Sequence, residues 1–213
     1  MTSRVLTKGI LIVIEGIDGA GKSTQAKLLY NDLDRRNIPV IFSREPTDSE
    51  YGQKIRVLAQ KGRESIQPEE EYRLFVNDRK VHFHTLINPA LKAGKVVILD
   101  RYFFSTIAYQ GALGLDPEKI RAENEIFCPL PDAAFIIDIP TKIGIDRIKN
   151  QRNETPNLFE KEQYLENVSR IFDSLNDEFI VRIDGKGGVE EVHNRIRIHV
   201  DALLENQFQT VIE

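Results

Sequence analysis

The segment from Gly16 to Ser23, Gly-Ile-Asp-Gly-Ala-Gly-Lys-Ser, constrains the fold of this chain more than any other part of its sequence. It matches the pattern G-x-x-x-x-G-K-S/T, a loop that joins a β-strand to an α-helix and encloses phosphate groups. An apolar run, Gly9 to Glu15, precedes the loop, and the residues after it place Ala26, Leu29 and Leu33 on one helical face. This unit of strand, loop and helix predicts an α/β protein with a largely parallel sheet.

Short apolar runs rich in valine and isoleucine predict the remaining strands. Four such runs follow the loop: Ile38 to Ser43, Lys95 to Asp100, Ala133 to Asp138 and Ile180 to Asp184. Runs that are apolar at nearly every position are typical of strands covered by helices on both faces. Between the runs the apolar residues have helical spacing, most clearly from Lys161 to Glu178. The chain is predicted to end in a helix after Gly187-Gly188.

Length, composition and charge narrow the class of protein further. With 213 residues, 41% of them hydrophobic and 29% charged, the chain is predicted to form one globular domain spanning residues 1–213. Its apolar runs are shorter than the ~18 residues of a membrane span, and nothing resembles a secretory signal, so we expect a cytoplasmic protein without a membrane partner. The net charge of −4 argues against a nucleic-acid partner but allows a cationic pocket for a small anion. The single cysteine, Cys128, excludes an intramolecular disulfide.

The residue types of the loop are those that the phosphates of a nucleotide require. Glycines let backbone N–H groups approach the phosphates closely, and Lys22 adds a positive charge. The hydroxyl of Ser23 is placed to bind Mg²⁺, and the helix that it opens points its positive dipole end at the same phosphates. We predict that a bound nucleotide contacts the following residues: Gly16, Ile17, Asp18, Gly19, Ala20, Gly21, Lys22, Ser23 and Thr24.

GTPase switches and motor or transport ATPases share this loop, but the sequence disfavours both classes. A GTPase needs an N-K-x-D segment to read guanine, and the nearest segment, Thr141 to Gly144, has no aspartate. The segment Asp184 to Gly187 matches D-x-x-G, but it follows the last predicted strand and is interpreted as an ordinary turn. A motor or transport ATPase does not agree with a compact chain that has several local arginine motifs.

Further motifs follow the loop in a fixed order and carry a resemblance to a known family. They are Arg44-Glu45-Pro46, Phe75-Val76-Asn77-Asp78-Arg79, Asp100-Arg101-Tyr102, Ser105-Thr106-Ile107-Ala108-Tyr109-Gln110-Gly111 and, before the fourth strand run, Pro131-Asp132. After Glu15-Gly16-Ile17-Asp18-Gly19, this set resembles the thymidylate kinases, P-loop nucleoside monophosphate kinases, from about Gly9 to Leu175.

The resemblance implies both a fold and an activity. The fold is the three-layer P-loop kinase fold, in which helices flank a five-stranded parallel sheet and a short mobile lid lies at about residues 147–160. The activity is the Mg²⁺-dependent transfer of the γ-phosphoryl group of ATP to dTMP, which gives dTDP and ADP in dTTP biosynthesis. The resemblance also implies a homodimer. Two alternatives are a kinase of another nucleoside or deoxynucleoside monophosphate and a nucleotide-binding regulator without transfer activity.

The chemistry of phosphoryl transfer accounts for the arginines of these motifs. The second pKa of a phosphate monoester is about 6, so the acceptor is already ionised at neutral pH and needs no general base. The protein must instead reduce the repulsion between two anions, which arginines and Mg²⁺ do. Arg44 and Arg101 follow predicted strands at the sheet edge where ligands bind, and we assign both to the acceptor phosphate. Asp100 has two open interpretations: it supports Mg²⁺, or it orients Arg101.

The base and sugar of the acceptor are assigned to a helix and to the motif after Asp100. Phe75 and Arg79 are one helical turn apart, so they offer an aromatic platform beside a hydrogen-bond donor for the base. The resemblance adds the remaining assignments, with Asp18 near the 3′-hydroxyl, Thr106 and Gln110 near the base, and Tyr109 in the space of a ribose 2′-hydroxyl. Two groups are interpreted as structural: Glu15 at its strand end and the histidines His82, His84, His193 and His199.

The sequence departs from the family pattern at two places. Thr47-Asp48-Ser49 replaces the two glycines that commonly follow R-E-P, and Leu158 stands where the lid motif D-R-F/Y-E has its arginine. The variable positions of the loop contain no basic residue, so a catalytic cation besides Lys22 must come from another segment. Arg147, Lys149 and Arg152 are the candidates, and we favour Arg152, because it is nearest the lid loop and Arg147 fits alongside the adenine of ATP.

Overall fold

The computed structural model describes residues 2–6, 8–61, 66–152, 158–205 and 207–212 of the chain. Its centre is a sheet of five parallel strands in the spatial order β3-β4-β2-β5-β6. The strands are β2 (Ile10–Glu15), β3 (Val40–Arg44), β4 (Val96–Asp100), β5 (Ala133–Asp138) and β6 (Ile180–Asp184). Every residue of β2 and β4 is buried, and successive side chains point to opposite faces, so helices cover the middle of the sheet on both sides.

The helices form the outer layers and agree with the predicted three-layer architecture. They are α1 (Lys22–Arg35), α2 (Glu50–Lys61), α3 (Pro68–His82), α4 (Asn88–Lys92), α5 (Phe103–Gly111), α6 (Pro117–Glu125), α7 (Thr141–Arg152), α8 (Leu158–Ser174) and α9 (Val189–Glu205), with a π-helical turn (Phe83–Ile87) between α3 and α4. Helix α1 packs on β3, β4 and α9, whereas α5 packs against α3, α6 and α8. The predicted α/β fold with a five-stranded parallel sheet is therefore confirmed.

The register of the sheet brings functional candidates from separate segments to one edge. Arg44 at the end of β3 pairs with Asp100 at the end of β4, and Ile14 of β2 pairs with the same aspartate. Because the strands are parallel, their carboxyl ends all lie at this edge. Glu15, the loop after β2 and the residues after β3 and β4 are thus neighbours, although they are far apart in the sequence.

The prediction that the chain ends in a helix is wrong. Helix α9 ends at Glu205, and the chain continues into a strand, β7 (Phe208–Ile212), which pairs antiparallel with β1 (Thr2–Leu6). This second sheet joins the two ends of the chain, so its pairing is a non-local contact that a periodicity within either segment does not reveal. None of the helices in the described part of the chain has the length and apolar character that a membrane crossing requires.

Candidate active site

A cleft of about 660 Å³ lies at the carboxyl edge of the sheet. Residues 18–24 of the loop and the start of α1 form one wall, and Arg44, Asp100 and Arg101 contribute from the neighbouring strand ends. Gly16 and Ile17, which were also predicted to contact a nucleotide, are not among the residues that line it. The structure thus brings the predicted phosphate-binding loop and both predicted acceptor arginines to a single opening.

Two glycines of the loop allow it to pack against the strands and helices around it. Gly16 has a φ of 134°, and a Cβ there would lie 2.7 Å from the carbonyl oxygen of Ile137. Gly19 has a φ of 80°, and its Cβ would lie 2.3 Å from the carbonyl oxygen of Gly144 in α7. An L-amino acid with a side chain would be strained in both conformations and would clash with backbone that cannot move away.

Lys22, the lysine of the loop, is buried at the base of the cleft. Its ammonium group donates to the carbonyl oxygen of Ile17 at 2.7 Å. Burial and the nearby Arg101 lower the pKa of Lys22 to about 8, although Asp18 and Asp100 oppose this shift. An anion bound in the loop would favour the charged form of this lysine, which suits a phosphate-binding role.

The side chains of Ser23 and Asp100 offer two neighbouring oxygen atoms as metal ligands close to Lys22. The hydroxyl of Ser23 donates to Oδ2 of Asp100, whereas Oδ1 of Asp100 is buried and has no hydrogen-bond partner among the described residues. Mg²⁺ is commonly bound by a carboxylate oxygen and a hydroxyl oxygen together with phosphate oxygens and water. The residues present therefore fit a magnesium ion at this place.

Arg101 has a backbone conformation that is rare for a residue with a side chain, with a φ of 74°. Its guanidinium donates to Asp18 and to the hydroxyl of Ser105 at 3.0 Å, and it lies 4.9 Å from the ring centre of Tyr109. Non-glycine residues in the left-handed region concentrate at functional sites, where the surrounding structure holds them in place. The bond to Asp18 joins the guanidinium to the phosphate-binding loop.

Arg79 is buried and donates to three side chains of the protein. Its Nε donates to Glu45 at 2.8 Å, Nη1 to Asn124 at 2.7 Å and Nη2 to Thr106 at 2.8 Å. Only 1% of its side chain is exposed. The sequence predicts that the Arg79 side chain contacts a ligand. In the structure this side chain joins α3 to α5, to α6 and to the segment after β3.

This network predicts a large effect of Arg79 on stability. Replacing Arg79 by alanine leaves Glu45 buried without its guanidinium, and we expect the free energy of unfolding in urea to fall by ~3 kcal/mol. The matched variant is Arg73→Ala on the same helix, where the arginine is 58% exposed and pairs with Glu123. That variant is expected to lose less than ~1 kcal/mol. Equal losses in the two variants would mean that the buried pair contributes no more than a surface pair.

The segment that departs from the family pattern after Pro46 is held by an aspartate of α3. Asp78 accepts from the backbone N–H of Thr47 at 2.8 Å, from the hydroxyl of Ser49 at 2.6 Å and from the hydroxyl of Thr47 at 2.5 Å. Hydroxyl side chains therefore supply an anchor for this loop that glycines could not provide.

The other residues predicted to contact the acceptor lie beside the cleft and do not form its lining. Phe75, Thr106, Tyr109 and Gln110 belong to α3 and α5. Tyr109 is linked to the cleft through Arg101, whose Nη2 lies 3.4 Å from the phenol oxygen. Gln110 is buried, and its Oε1 has no hydrogen-bond partner in the part of the chain that the structure describes.

The lid candidates fall into two groups. Arg147 on α7 lines the cleft, where it donates to the carbonyl oxygens of Gly19 at 3.1 Å and Gly185 at 3.3 Å. Arg152 is the last residue of α7, and its side chain lies outside the described residues, as do residues 153–157 of the predicted lid. Lys149 approaches Asp146 of its own helix at 3.9 Å.

Several cleft residues were not predicted from the sequence. These are Gln25, Arg56, Ile148, Gly185, Gly187, Val189 and Val192. Arg56 donates to the carbonyl oxygens of Pro46 and Thr47, so it supports the loop after β3. The glycines belong to the D-x-x-G segment that was interpreted as an ordinary turn; its position after a strand of a parallel sheet was the signal that could have assigned it to the cleft.

Comparisons with known proteins identify the family of the chain. The model of the thymidylate kinase family matches residues 14–196. A thymidylate kinase of Desulfotalea psychrophila is 48% identical over 197 residues, which cover 92% of this chain and 96% of that protein. A thymidylate kinase of Akkermansia muciniphila is 46% identical, covering 89% of this chain and 90% of that protein. The crystal structure of thymidylate kinase from Ehrlichia chaffeensis, 28% identical, superposes with a TM-score of 0.70 and covers 90% of this chain and 98% of that one. The chain, with its P-loop and paired arginines at one cleft, belongs to the thymidylate kinase family.

Proposed function

We propose that this protein transfers the γ-phosphoryl group of ATP to dTMP, giving dTDP and ADP, by direct in-line attack without a covalent enzyme intermediate. The observation that carries the proposal is that a P-loop and two strand-end arginines line one cleft. The loop suits the phosphates of the donor, and Arg44 and Arg101 suit the phosphate of the acceptor. Kinship with thymidylate kinases supports thymine as the acceptor base and ATP as the donor.

The charges around the cleft suit the transfer of a phosphoryl group between two anions. The acceptor monoester is ionised at neutral pH, so no side chain needs to remove a proton before attack. In this proposal, the ammonium group of Lys22 neutralises the donor phosphates, and the guanidinium of Arg101 neutralises the acceptor phosphate and the charge that spreads over the transferred group. Catalysis then depends on positioning and on electrostatic stabilisation rather than on acid or base chemistry.

Ser23 and Asp100 are the residues that would hold Mg²⁺. The unpartnered Oδ1 of Asp100 supports this role over the alternative that Asp100 orients Arg101, since the guanidinium bonds to Asp18 and Ser105. Bound there, the ion supplies positive charge to the phosphate oxygens. Arg147, which spans Gly19 and Gly185, is assigned to the adenine side of the donor.

The acceptor nucleoside is assigned to the wall next to Arg101. Phe75 is half-buried and is proposed to stack on the base, with Arg79, Thr106 and Gln110 beside it. The free Oε1 of Gln110 supports a polar contact with a ligand. Asp18 is assigned to the 3′-hydroxyl. For the protein as a whole, we infer one domain over residues 1–213, a homodimer and a cytoplasmic location.

A coupled assay of ADP release with a panel of nucleoside monophosphates tests the proposal. We expect release to depend on the acceptor and to be fastest with dTMP. Faster release with another monophosphate would assign the protein to a different acceptor. Release that is independent of the acceptor would indicate an ATPase, and the absence of release with every acceptor would indicate a nucleotide-binding regulator.

We predict that Tyr109 makes the protein select deoxyribose over ribose. Its ring is proposed to fill the space of a 2′-hydroxyl, so Tyr109→Phe is expected to retain most of the selectivity and Tyr109→Ala to reduce it. Phenylalanine also keeps the aromatic face against which the Arg101 guanidinium lies at 4.9 Å. The ratio of kcat/KM for the deoxyribonucleotide to that for the ribonucleotide is the measurement. An unchanged ratio in Tyr109→Ala would locate the selectivity elsewhere.

We predict that Arg152 of the lid stabilises the transition state of phosphoryl transfer. A cation that acts only when the lid closes stabilises the transition state more than the bound substrates. We expect Arg152→Ala to lower kcat by ~10²-fold with little change in either KM. Arg147→Ala is the comparison variant, and its main effect is expected in the KM of ATP. A kcat within threefold of the parent in Arg152→Ala, with a large loss in Arg147→Ala, would transfer the role to Arg147.

A further inference from the structure

Glu15, the last residue of β2, reaches across the sheet edge to the start of α5. Its carboxylate is fully buried. Oε1 accepts from the backbone N–H groups of Tyr102 at 2.8 Å and Ser105 at 3.2 Å, and Oε2 accepts from the hydroxyl of Ser105 at 2.5 Å. The N-cap residue of α5, Tyr102, makes no side-chain capping bond, so the carboxylate of Glu15, 87 residues away in the sequence, is an acceptor for two backbone N–H groups at this helix start.

The hydroxyl of Ser105 connects this carboxylate to Arg101. A serine hydroxyl has one proton to donate and two lone pairs that accept. Because the proton is donated to Glu15, the oxygen is free to accept from Nη1 of Arg101, which lies 3.0 Å away. The hydrogen bonds therefore run in one direction, from the guanidinium through the hydroxyl to the carboxylate.

The same strand end also holds the backbone of Arg101. The N–H of Arg101 donates to the carbonyl oxygen of Ile14 at 3.0 Å, and the next residue, Tyr102, donates to Glu15. Arg101 lies between these two anchors with a φ of 74°, a conformation that an arginine does not adopt without support. Both the backbone and the side chain of Arg101 are thus tied to the residues that immediately precede the P-loop.

We propose that Glu15 and Ser105 are positioning residues. They hold the guanidinium of Arg101 at the acceptor phosphate, in a fixed position relative to the P-loop. This inference rests on the proposed function, because it assigns a role to residues behind the same site. Neither residue lines the cleft. Their contribution to catalysis therefore passes through Arg101, whereas a residue that only caps α5 would contribute equally whether or not Arg101 is present.

A double-mutant cycle separates these two roles. Ser105→Ala removes the hydroxyl but leaves Glu15 its two backbone N–H donors. In the parent protein, this change is expected to lower kcat/KM for dTMP by ~10-fold, with the KM of ATP within twofold. In the Arg101→Ala background, the same change is expected to alter kcat/KM for dTMP by less than twofold. Ser174→Ala is the matched control, because its hydroxyl is exposed and donates to the carbonyl oxygen of Ile171 within its own helix, α8.

Glu15→Gln provides a second variant of nearly the same shape. Its carbonyl oxygen still accepts one set of bonds, but its NH₂ group cannot accept the proton of Ser105. We expect a loss for dTMP at least as large as that of Ser105→Ala, again absent in the Arg101→Ala background. An equal loss in both backgrounds, or no loss in the parent for either variant, would overturn the proposal.

Failure of the proposed function is recognised separately, since the parent protein would then not phosphorylate dTMP. In that event, crystal structures of the parent and of Ser105→Ala decide the positioning role. Loss of the contact between Arg101 and Asp18 in the variant supports the role. An unchanged guanidinium position overturns it.

Discussion

Replacing Lys22 by methionine is expected to lower kcat/KM for ATP by ~10³-fold. Methionine keeps most of the length and the apolar surface of the side chain, so the change removes the charge and its hydrogen bonds. In the structure the ammonium group is buried at the base of the cleft, where it donates to the carbonyl oxygen of Ile17. Loss of one charged donor that faces the transferring group costs on the order of 10²–10³ in rate in a site that excludes water.

Lys27→Met is the control for this variant. Lys27 lies on the same helix, α1, but its side chain is exposed and it does not line the cleft. Steady-state kinetics with ATP as the varied substrate is the measurement, and thermal unfolding of both variants verifies that they fold. A Lys22→Met protein that keeps more than a tenth of the parent kcat/KM would contradict the assignment of the loop to the donor phosphates.

Replacing Arg101 by alanine is expected to lower kcat/KM for dTMP by ~10²–10³-fold. The guanidinium lies between Asp18 of the loop, the hydroxyl of Ser105 and the face of Tyr109. It is therefore held in place before a ligand arrives, and truncation of a preorganised charged partner costs about 2–5 kcal/mol. Lysine is not expected to restore the activity, since it lacks the planar fork that contacts a hydroxyl and a phosphate together.

The kinetics of Arg101→Ala are best compared with those of Arg170→Ala. Arg170 is exposed on α8, and its ion pair with Glu166 is a surface contact. Varying dTMP at saturating ATP measures the expected loss, and varying ATP shows whether donor binding is preserved. Equal losses for both substrates would mean that removing Arg101 disturbs the loop as a whole. Parent-like kinetics would remove this arginine from the acceptor site.

Local patterns in the sequence predicted the sheet and the P-loop because each depends on residues that are close together in the chain. The apolar runs place β2, β4 and β5 correctly to within one residue, and the glycines of the loop meet a requirement of the backbone itself. The pairing of β1 with β7 was missed, since it depends on two short segments at opposite ends of the chain. Neither segment has a periodicity that identifies its partner.

Site residues could be predicted from the sequence only where they belong to a recognisable motif. Lys22, Ser23, Arg44 and Arg101 were assigned from motifs and meet at the cleft. The partners of Arg79 could not be predicted, because they come from three other segments of the chain. Arg101 has its unusual φ where the backbone donates to Ile14 and Glu15 of β2, a contact between distant segments that no pattern within the D-R-Y segment indicates.

The central claim is that one cleft brings the phosphates of ATP and of dTMP together for direct transfer. Phosphorus NMR of the parent protein with ATP, dTMP and Mg²⁺ tests it most directly, because each phosphorus atom of substrates and products is resolved. We expect the signals of dTDP and ADP to grow in equal amounts, with no change in ATP when dTMP is omitted. Inorganic phosphate and ADP appearing in place of dTDP would contradict the claim.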